Sequence, residues 1–456
     1  MAKPLEETEG RPRAKAEIRA RVLGLAGPAL VEMFLVSFVS MADMMMVGRV
    51  GPAAVTSVGL TNQPMMFFQA VFMALNVGTT ALVARSIGAG DHRLTNEAAR
   101  QTLIFTTILG LLMSAVAYLG AGWVMRFMGA EQDVIEIGVP YFQAMGLGLI
   151  FNTLSMAAAA ALRGAGDTKS PMTVNITSNV LNLIGCYTLI YGHFGAPALG
   201  VLGAGISTTL SRAVGTVLFL YLMFSGGRGI HIGLRDKYRI DWSIMRRIFA
   251  VGFPTGIEQV ILRGGQVTFA RVVAGLGTVG FAAHQIGMNI LNLTFMPGQA
   301  FAIAATALVG QNLGAGDPEG AEKCAAEARR IGLLVAGSMA VMLFFFGRYL
   351  AWMYTNDATV MASTALVLKI YALCQPAQST AFILAGALRG AGDTKWPLYA
   401  TAGGVWFLRV ALAALFINVF DWGLVGAWLG MAGDQLGRTA VISSRFKSGR
   451  WKLARV

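Results

Sequence analysis

Charge is what this 456-residue chain has little of. Asp, Glu, Lys and Arg together make up 13% of it, against roughly 25% in ordinary globular proteins. That scarcity excludes both intrinsic disorder and a charged nucleic-acid-binding domain as descriptions of the whole chain. Cysteine is almost as rare: Cys186, Cys324 and Cys374 stand far apart and make no disulfide framework. The four histidines, His92, His193, His231 and His284, do not combine with them at metal-ligand spacing, and no Ser-His-acid arrangement can be drawn. The sequence therefore predicts no metal, no cofactor and no enzyme. GLGTVG at 275–280 has the glycine spacing of a dinucleotide site, but it sits in a predicted turn with no strand before it. With no nucleotide-hydrolysing domain, any driving energy has to come from an ion gradient.

What the chain does have is apolar length. Residues AVILMFWYC are 55% of it, with 56 glycines, a composition tolerated in membrane helix bundles. Stretches 50–84, 101–125, 137–162, 170–211 and 272–316 contain no Asp, Glu, Lys or Arg, and about 20 apolar residues span a bilayer. The pattern predicts helices near 22–47, 54–82, 101–122, 134–161, 171–191 and 199–223, then 248–274, 281–309, 328–347, 361–387, 397–418 and 424–443. Lys and Arg cluster in the first 21 residues, in 226–247 and after 444. The positive-inside rule then puts both termini in the cytoplasm of a multi-pass protein of the inner (plasma) membrane. The first apolar segment is too long for a signal-peptide core and is expected to remain as helix 1.

The chain repeats itself 226 residues on. ALRGAGDTKSP at 161–171 returns as ALRGAGDTKWP at 387–397, and TALVARSIGAGD at 80–91 returns as TALVGQNLGAGD at 306–317. Pro28 and Glu32 map onto Pro254 and Glu258. Two homologous halves are expected, each with six helices and hence inserted in the same sense. The fold class is therefore all-α and polytopic, with twelve transmembrane helices in two six-helix, pseudo-twofold-related lobes. The expected organisation is a tail at 1–21, an N-lobe at 22–225, a cytoplasmic linker at 226–247, a C-lobe at 248–445 and a basic tail at 446–456. The GAGDTK turns lack the spacing of a phosphate loop and read as tight turns, with Asp167 and Asp393 capping or pairing.

Charge inside a span is costly unless paired or wetted, so each case is a functional candidate. Asp43, toward the outer end of helix 1, is either an ion-binding carboxylate or an interfacial structural one. Glu32 and Glu258 sit at matched depths; they either face a cavity or form structural pairs, with Arg263 or Arg271 as the nearest partners for Glu258. Lys369 and Arg409 neutralise carboxylates or snorkel outward, while Arg212, Asp434 and Arg438 read as helix-pairing or interface charges. Asn179 and Asn182 on helix 5 and Thr208 on helix 6 either join Asp43 or hold helices together. Met33 and Met65, with Tyr141 and Gln285, are substrate-cavity candidates, ordinary core filling being the other reading of the methionines.

These motifs resemble the multidrug and toxic compound extrusion (MATE) transporters over residues 20–445. Pro28 with Asp43 and Val47–Gly48, the GAGD turns and the LRGAGDTK turns carry the resemblance. It implies a V-shaped two-lobed bundle, monomeric in the bilayer, that exports organic cations and amphiphilic drugs in exchange for H⁺ or Na⁺. The sequence looks closest to the bacterial and archaeal branch whose key acid lies in helix 1, here Asp43. Relatives place an Asn and an Asp four residues apart in helix 5 and a Thr in helix 6. Asn182 and Thr208 match, but Cys186 stands where the second acid would be. A single carboxylate among neutral groups suits proton binding, since burial disfavours its charged form. Other branches use a Glu in helix 7 and an Asp in helix 10; Glu258 is in that helix, and helix 10 offers Lys369. The expected function is proton-coupled drug antiport by alternating access. Sodium coupling is the alternative, with a lipid or polysaccharide-precursor flippase, or a non-transporting receptor or scaffold, behind it.

Overall fold

The computed structural model describes residues 6–226, 229–233 and 239–454. Among them are twelve long helices and no strand. The first six are α1 (Glu6–Gly48), α2 (Pro52–Gly88), α3 (His92–Phe127), α4 (Gln132–Gly164), α5 (Lys169–Tyr191) and α6 (Val201–Ser225). The second six are α7 (Trp242–Ala274), α8 (Gly277–Gly314), α9 (Pro318–Trp352), α10 (Ala358–Ala391), α11 (Lys395–Asn418) and α12 (Gly423–Lys447).

Nine are long and apolar enough to cross a membrane. The three that fall short, α5, α7 and α12, carry intramembrane polar groups: Asn175 and Asn182, Glu258, and Asp434 with Arg438. Many large apolar side chains, such as Leu119, Phe345 and Leu373, are exposed, as lipid-facing helices require.

Most helices run past the ends that hydropathy marks. Apolar runs report the part inside the bilayer, whereas caps decide where a helix starts. Thus α3 begins at His92 rather than near 101, because the Asp91 carboxylate accepts from Leu94 N at 2.8 Å. Its repeat, Asp317, accepts from Gly320 N at 2.7 Å and starts α9 at Pro318 rather than near 328. The turns before them need left-handed backbone, supplied by Gly90 (φ 71°) and Gly316 (φ 74°). Two interior departures were not legible: α4 is interrupted at Gly148, and α11 is π-helical over Gly404–Ala411.

The chain divides into two compact units, 31–252 and 1–30 with 253–456. The division falls inside α1, two residues after Pro28, and inside α7, two residues before Pro254. In the first unit Met65, Met125, Tyr141, Phe142, Leu149 and Cys186 form the core. Residues 239–241 of the expected linker are fastened to this unit. Gln101 Nε2 donates to Arg239 O at 2.7 Å, and Asp241 N donates to Gln101 Oε1 at 2.9 Å. Linker residues 227–228 and 234–238, and 455–456 of the basic tail, lie outside the described residues. In the second unit, Val22, Leu25 and Ala26 of α1 pack with α8, α9, α10 and Trp451.

Packing repeats as faithfully as sequence. Thr80 Oγ1 donates to Ala160 O at 2.9 Å, and Thr306 Oγ1, 226 residues on, donates to Gly386 O at 2.8 Å. Beside each, a glycine lets two helices touch: a Cβ on Gly164 would lie 2.7 Å from Thr80 O, and one on Gly390 would lie 2.2 Å from Thr306 O. The duplicated TALV and LRGAGD segments are therefore the two faces of one helix contact, built twice.

Candidate ion-coupling site

In the first unit the polar centre forms where α1, α5 and α6 meet. Asn182 Nδ2 donates to Asp43 Oδ2 at 2.9 Å, while its Oδ1 accepts from Thr208 Oγ1 at 3.0 Å and from Thr208 N at 3.3 Å. The Cys186 thiol, one turn along α5, also contacts Asp43 and Ser207. Ser207 Oγ donates to Asn182 O at 2.9 Å, fixing α5 to α6. Tyr141 and Arg212 lie within electrostatic reach of Asp43 without an ion pair to it. Tyr191 Oη donates to Met46 O at 2.8 Å, one turn beyond Asp43, and holds the end of α1 against α5. Asn179 is half-buried one turn before Asn182.

Glu32 is not part of this centre. Its Oε1 accepts from Arg163 Nη2 at 2.5 Å and from Asn175 Nδ2 at 2.7 Å, while Oε2 and Arg163 Nε are buried without a partner. Glu258 repeats the arrangement in the second unit, and its partner is neither Arg263 nor Arg271. Both its oxygens accept from Arg389 Nη2 at 2.8 Å, and Oε1 also accepts from Thr401 Oγ1 at 3.0 Å. Arg263 is exposed and reaches Gln266 Oε1 at 3.3 Å instead. The Arg163–Glu32 and Arg389–Glu258 separations are both 131 residues, and Asn175–Glu32 and Thr401–Glu258 both 143. Sequence reasoning read LRGAGDTK as a turn and missed that its Arg is the partner of the acid behind each proline. The signal was available: an arginine repeated in register with a repeated intramembrane glutamate.

The two aspartates of the duplicated turns take different roles. Asp167 Oδ1 accepts from Ser170 N at 2.9 Å and its Oδ2 takes the Ser170 hydroxyl, whereas Asp393 Oδ2 accepts from Arg445 Nε at 2.7 Å. Arg409 neutralises Asp434, Nη2 to Oδ2 at 2.6 Å, and Arg438 adds contacts at 2.6 and 3.0 Å. The π-helical segment carries Arg409, and Gly404 leaves room for Asp434, whose Oδ1 would be 2.2 Å from a Cβ there. Lys369 is exposed, with its Nζ 5.8 Å from the Phe344 ring centre. Of the cavity candidates, Met65 and Tyr141 are core residues, Met33 is half-buried and Gln285 is exposed.

Twelve helices in duplicated halves, with one intramembrane carboxylate left without an ion pair among the described residues, define a polytopic membrane transporter. The MatE family profile matches residues 28–188 and again 254–415, once per half, and the chain belongs to that family. It is 31% identical to the probable multidrug resistance protein NorM of Thermotoga maritima, over 96% of this chain and 94% of that one. It is 28% identical to the multidrug resistance protein PmpM of Pseudomonas aeruginosa, over 95% and 92%. A crystal structure of MATE in complex with MaL6 shares the fold with a TM-score of 0.88, at 23% identity, covering 95% of this chain and 97% of that chain.

Proposed function

We propose that this protein is a proton-coupled exporter of cationic and amphiphilic drugs, working as an antiporter by alternating access, with Asp43 as the coupling carboxylate. Its relatives named as multidrug resistance proteins support the substrate class. The observation that carries the coupling is a contrast among the four carboxylates set well inside the helices. Glu32, Glu258 and Asp434 are each held by at least one arginine within 2.8 Å; Asp43 has no ion pair within 4.0 Å among the described residues. A carboxylate locked to a guanidinium stays charged, because neutralising it strands a buried cation. A carboxylate held by an amide and a thiol, with the Arg212 cation near it but not paired to it, can change state without breaking a salt bridge.

The Asn182 amide serves both states. Its N–H₂ donates to the carboxylate, and after a half-turn its carbonyl oxygen accepts from the carboxylic acid. Sodium would instead need several converging oxygens, and here Asp43 is the one carboxylate of the centre while Cys186 offers sulfur. Proton uptake then removes charge from α1 and repacks it about Pro28, near where this helix passes from one unit to the other. The Lys and Arg residues of 226–247 and of both tails support a cytoplasmic side for these segments in a monomeric protein of the plasma membrane.

The test is drug transport in proteoliposomes with proton and sodium gradients imposed separately. Efflux should follow the proton gradient alone. Efflux driven by a sodium gradient at fixed pH would replace the proton with Na⁺.

A further inference from the structure

Beyond α12 the chain does not trail away. Gly449, with φ 67°, turns it into a short 3₁₀ helix, Arg450–Leu453. Trp451 is fully buried; its ring stacks on Phe446 at 4.9 Å, and its Nε1 donates to Phe446 O at 2.8 Å. Lys452 pairs with Glu322 of α9 at 2.5 Å. This anchoring fixes the backbone of Arg450, whose side chain is exposed.

Arg450 closes one end of a groove of about 450 Å³ lined by Trp396, Ala440, Val441, Ser444, Arg445 and Ser448. Arg445 is held in place by Asp393 at 2.7 Å and by the Trp396 ring, 5.1 Å away. The groove is thus two-faced: Ala440 and Val441 form an apolar wall continuing onto exposed Leu436 of α12, while two arginines and two serines form the other end. Exposed Trp396 and Tyr399 pack edge to face at 6.2 Å at the start of α11, the place and chemistry of an interfacial aromatic belt. Two guanidiniums against one carboxylate leave the polar end positive, and basic pockets between membrane helices at this depth take anionic headgroups.

We propose that this groove binds one anionic phospholipid, its phosphate between Arg450 and Arg445 and its first chain segments along Ala440 and Val441. Free inorganic phosphate would satisfy the arginines but leave the apolar wall uncovered, so the lipid is the ligand that matches both ends.

Native mass spectrometry of the full-length protein, given equimolar phosphatidylglycerol and phosphatidylcholine, tests this. Wild type should keep one phosphatidylglycerol in preference to phosphatidylcholine. Arg450→Gln, which removes one charge, should lower the bound fraction about fivefold. Ser444→Trp, which fills the groove and leaves the charges, should abolish the preference; both variants should elute monodisperse and still export drug. Millimolar phosphate should not displace the lipid. Equal retention of the two lipids, an unaffected Ser444→Trp protein, or displacement by phosphate would each overturn the proposal.

Discussion

The two halves share a backbone plan and handle buried charge in opposite ways. In the first unit the polar centre contains one carboxylate, Asp43, on α1, with Asn182, Thr208 and Cys186 around it. In the second unit the repeat of Asp43 is Phe269, and the acid has moved to α12: Asp434 stands at the repeat of Thr208, and Arg438 at the repeat of Arg212. There it is clasped by Arg409 and Arg438 and is wholly buried. One half keeps a carboxylate with no ion pair among the described residues, the one proposed to exchange a proton. The other pairs its carboxylate directly with two arginines. Duplication gave two equivalent frames, and the repeat positions 43/269, 183/409 and 208/434 carry different residues in the two halves.

Removing Asp43, the acid proposed to exchange the proton, should have the largest effect on transport and little on folding. Asp43→Asn imitates the protonated state at nearly constant volume; it should reach the membrane and lose efflux driven by a pH gradient, measured with a fluorescent drug at matched expression. Cys186→Ala, which removes only a neutral neighbour, should retain substantial efflux. Near-wild-type proton-dependent efflux by Asp43→Asn would erase the functional side of the contrast.

The corresponding change in the second unit should fail differently. Asp434→Asn strands two buried guanidiniums, a loss of roughly 3–5 kcal/mol, so its signature is reduced expression and a lower melting temperature. A stable Asp434→Asn protein that is uncoupled from the proton gradient would put coupling in the second unit.

The matched glutamates give a graded comparison. Glu258 makes three short contacts and uses both oxygens, while Glu32 makes two through one oxygen. Glu258→Gln should therefore cost about 3 kcal/mol or more and Glu32→Gln less, read as the order of melting temperatures in detergent. Smaller still are the paired glycine contacts. Gly390→Ala and Gly164→Ala should each cost about 1–3 kcal/mol from overpacking, Gly390→Ala more because its Cβ would lie 2.2 rather than 2.7 Å from the threonine carbonyl. Thermal melts that reverse this order would show that the two contacts relax unequally.

The smallest effect lies where the halves begin. Asp241 caps α7, its Oδ1 accepting from Ser243 N at 2.8 Å and from Ser243 Oγ at 2.6 Å; its repeat position is Lys15, through which α1 simply continues. The Ser243 hydroxyl and backbone N–H hold the exposed Asp241 carboxyl below the usual carboxylate range. The cap is therefore at full strength above that range and fades as pH falls through the lowered value. Asp241→Ala should melt slightly earlier than wild type at pH 7, and the gap should close in acid.

Membrane placement, the number of helices and the two halves were determined by the sequence itself, because each is a linear property: apolar length and repeat register. The grouping of Asn182 and Thr208 with Asp43 was legible only through family resemblance, since nothing local links α1 to α5 and α6. Which carboxylates are locked was decided by tertiary structure alone. Arg163 and Arg389 look like turn residues in the chain and become partners of Glu32 and Glu258 only when α4 packs beside α1 and α10 beside α7. Arg409 meets Asp434 from within the π-helical stretch of α11, a change of helical phase invisible to hydropathy. A buried charge is costly or harmless according to what stands within about 3 Å of it, and only the folded chain sets that distance.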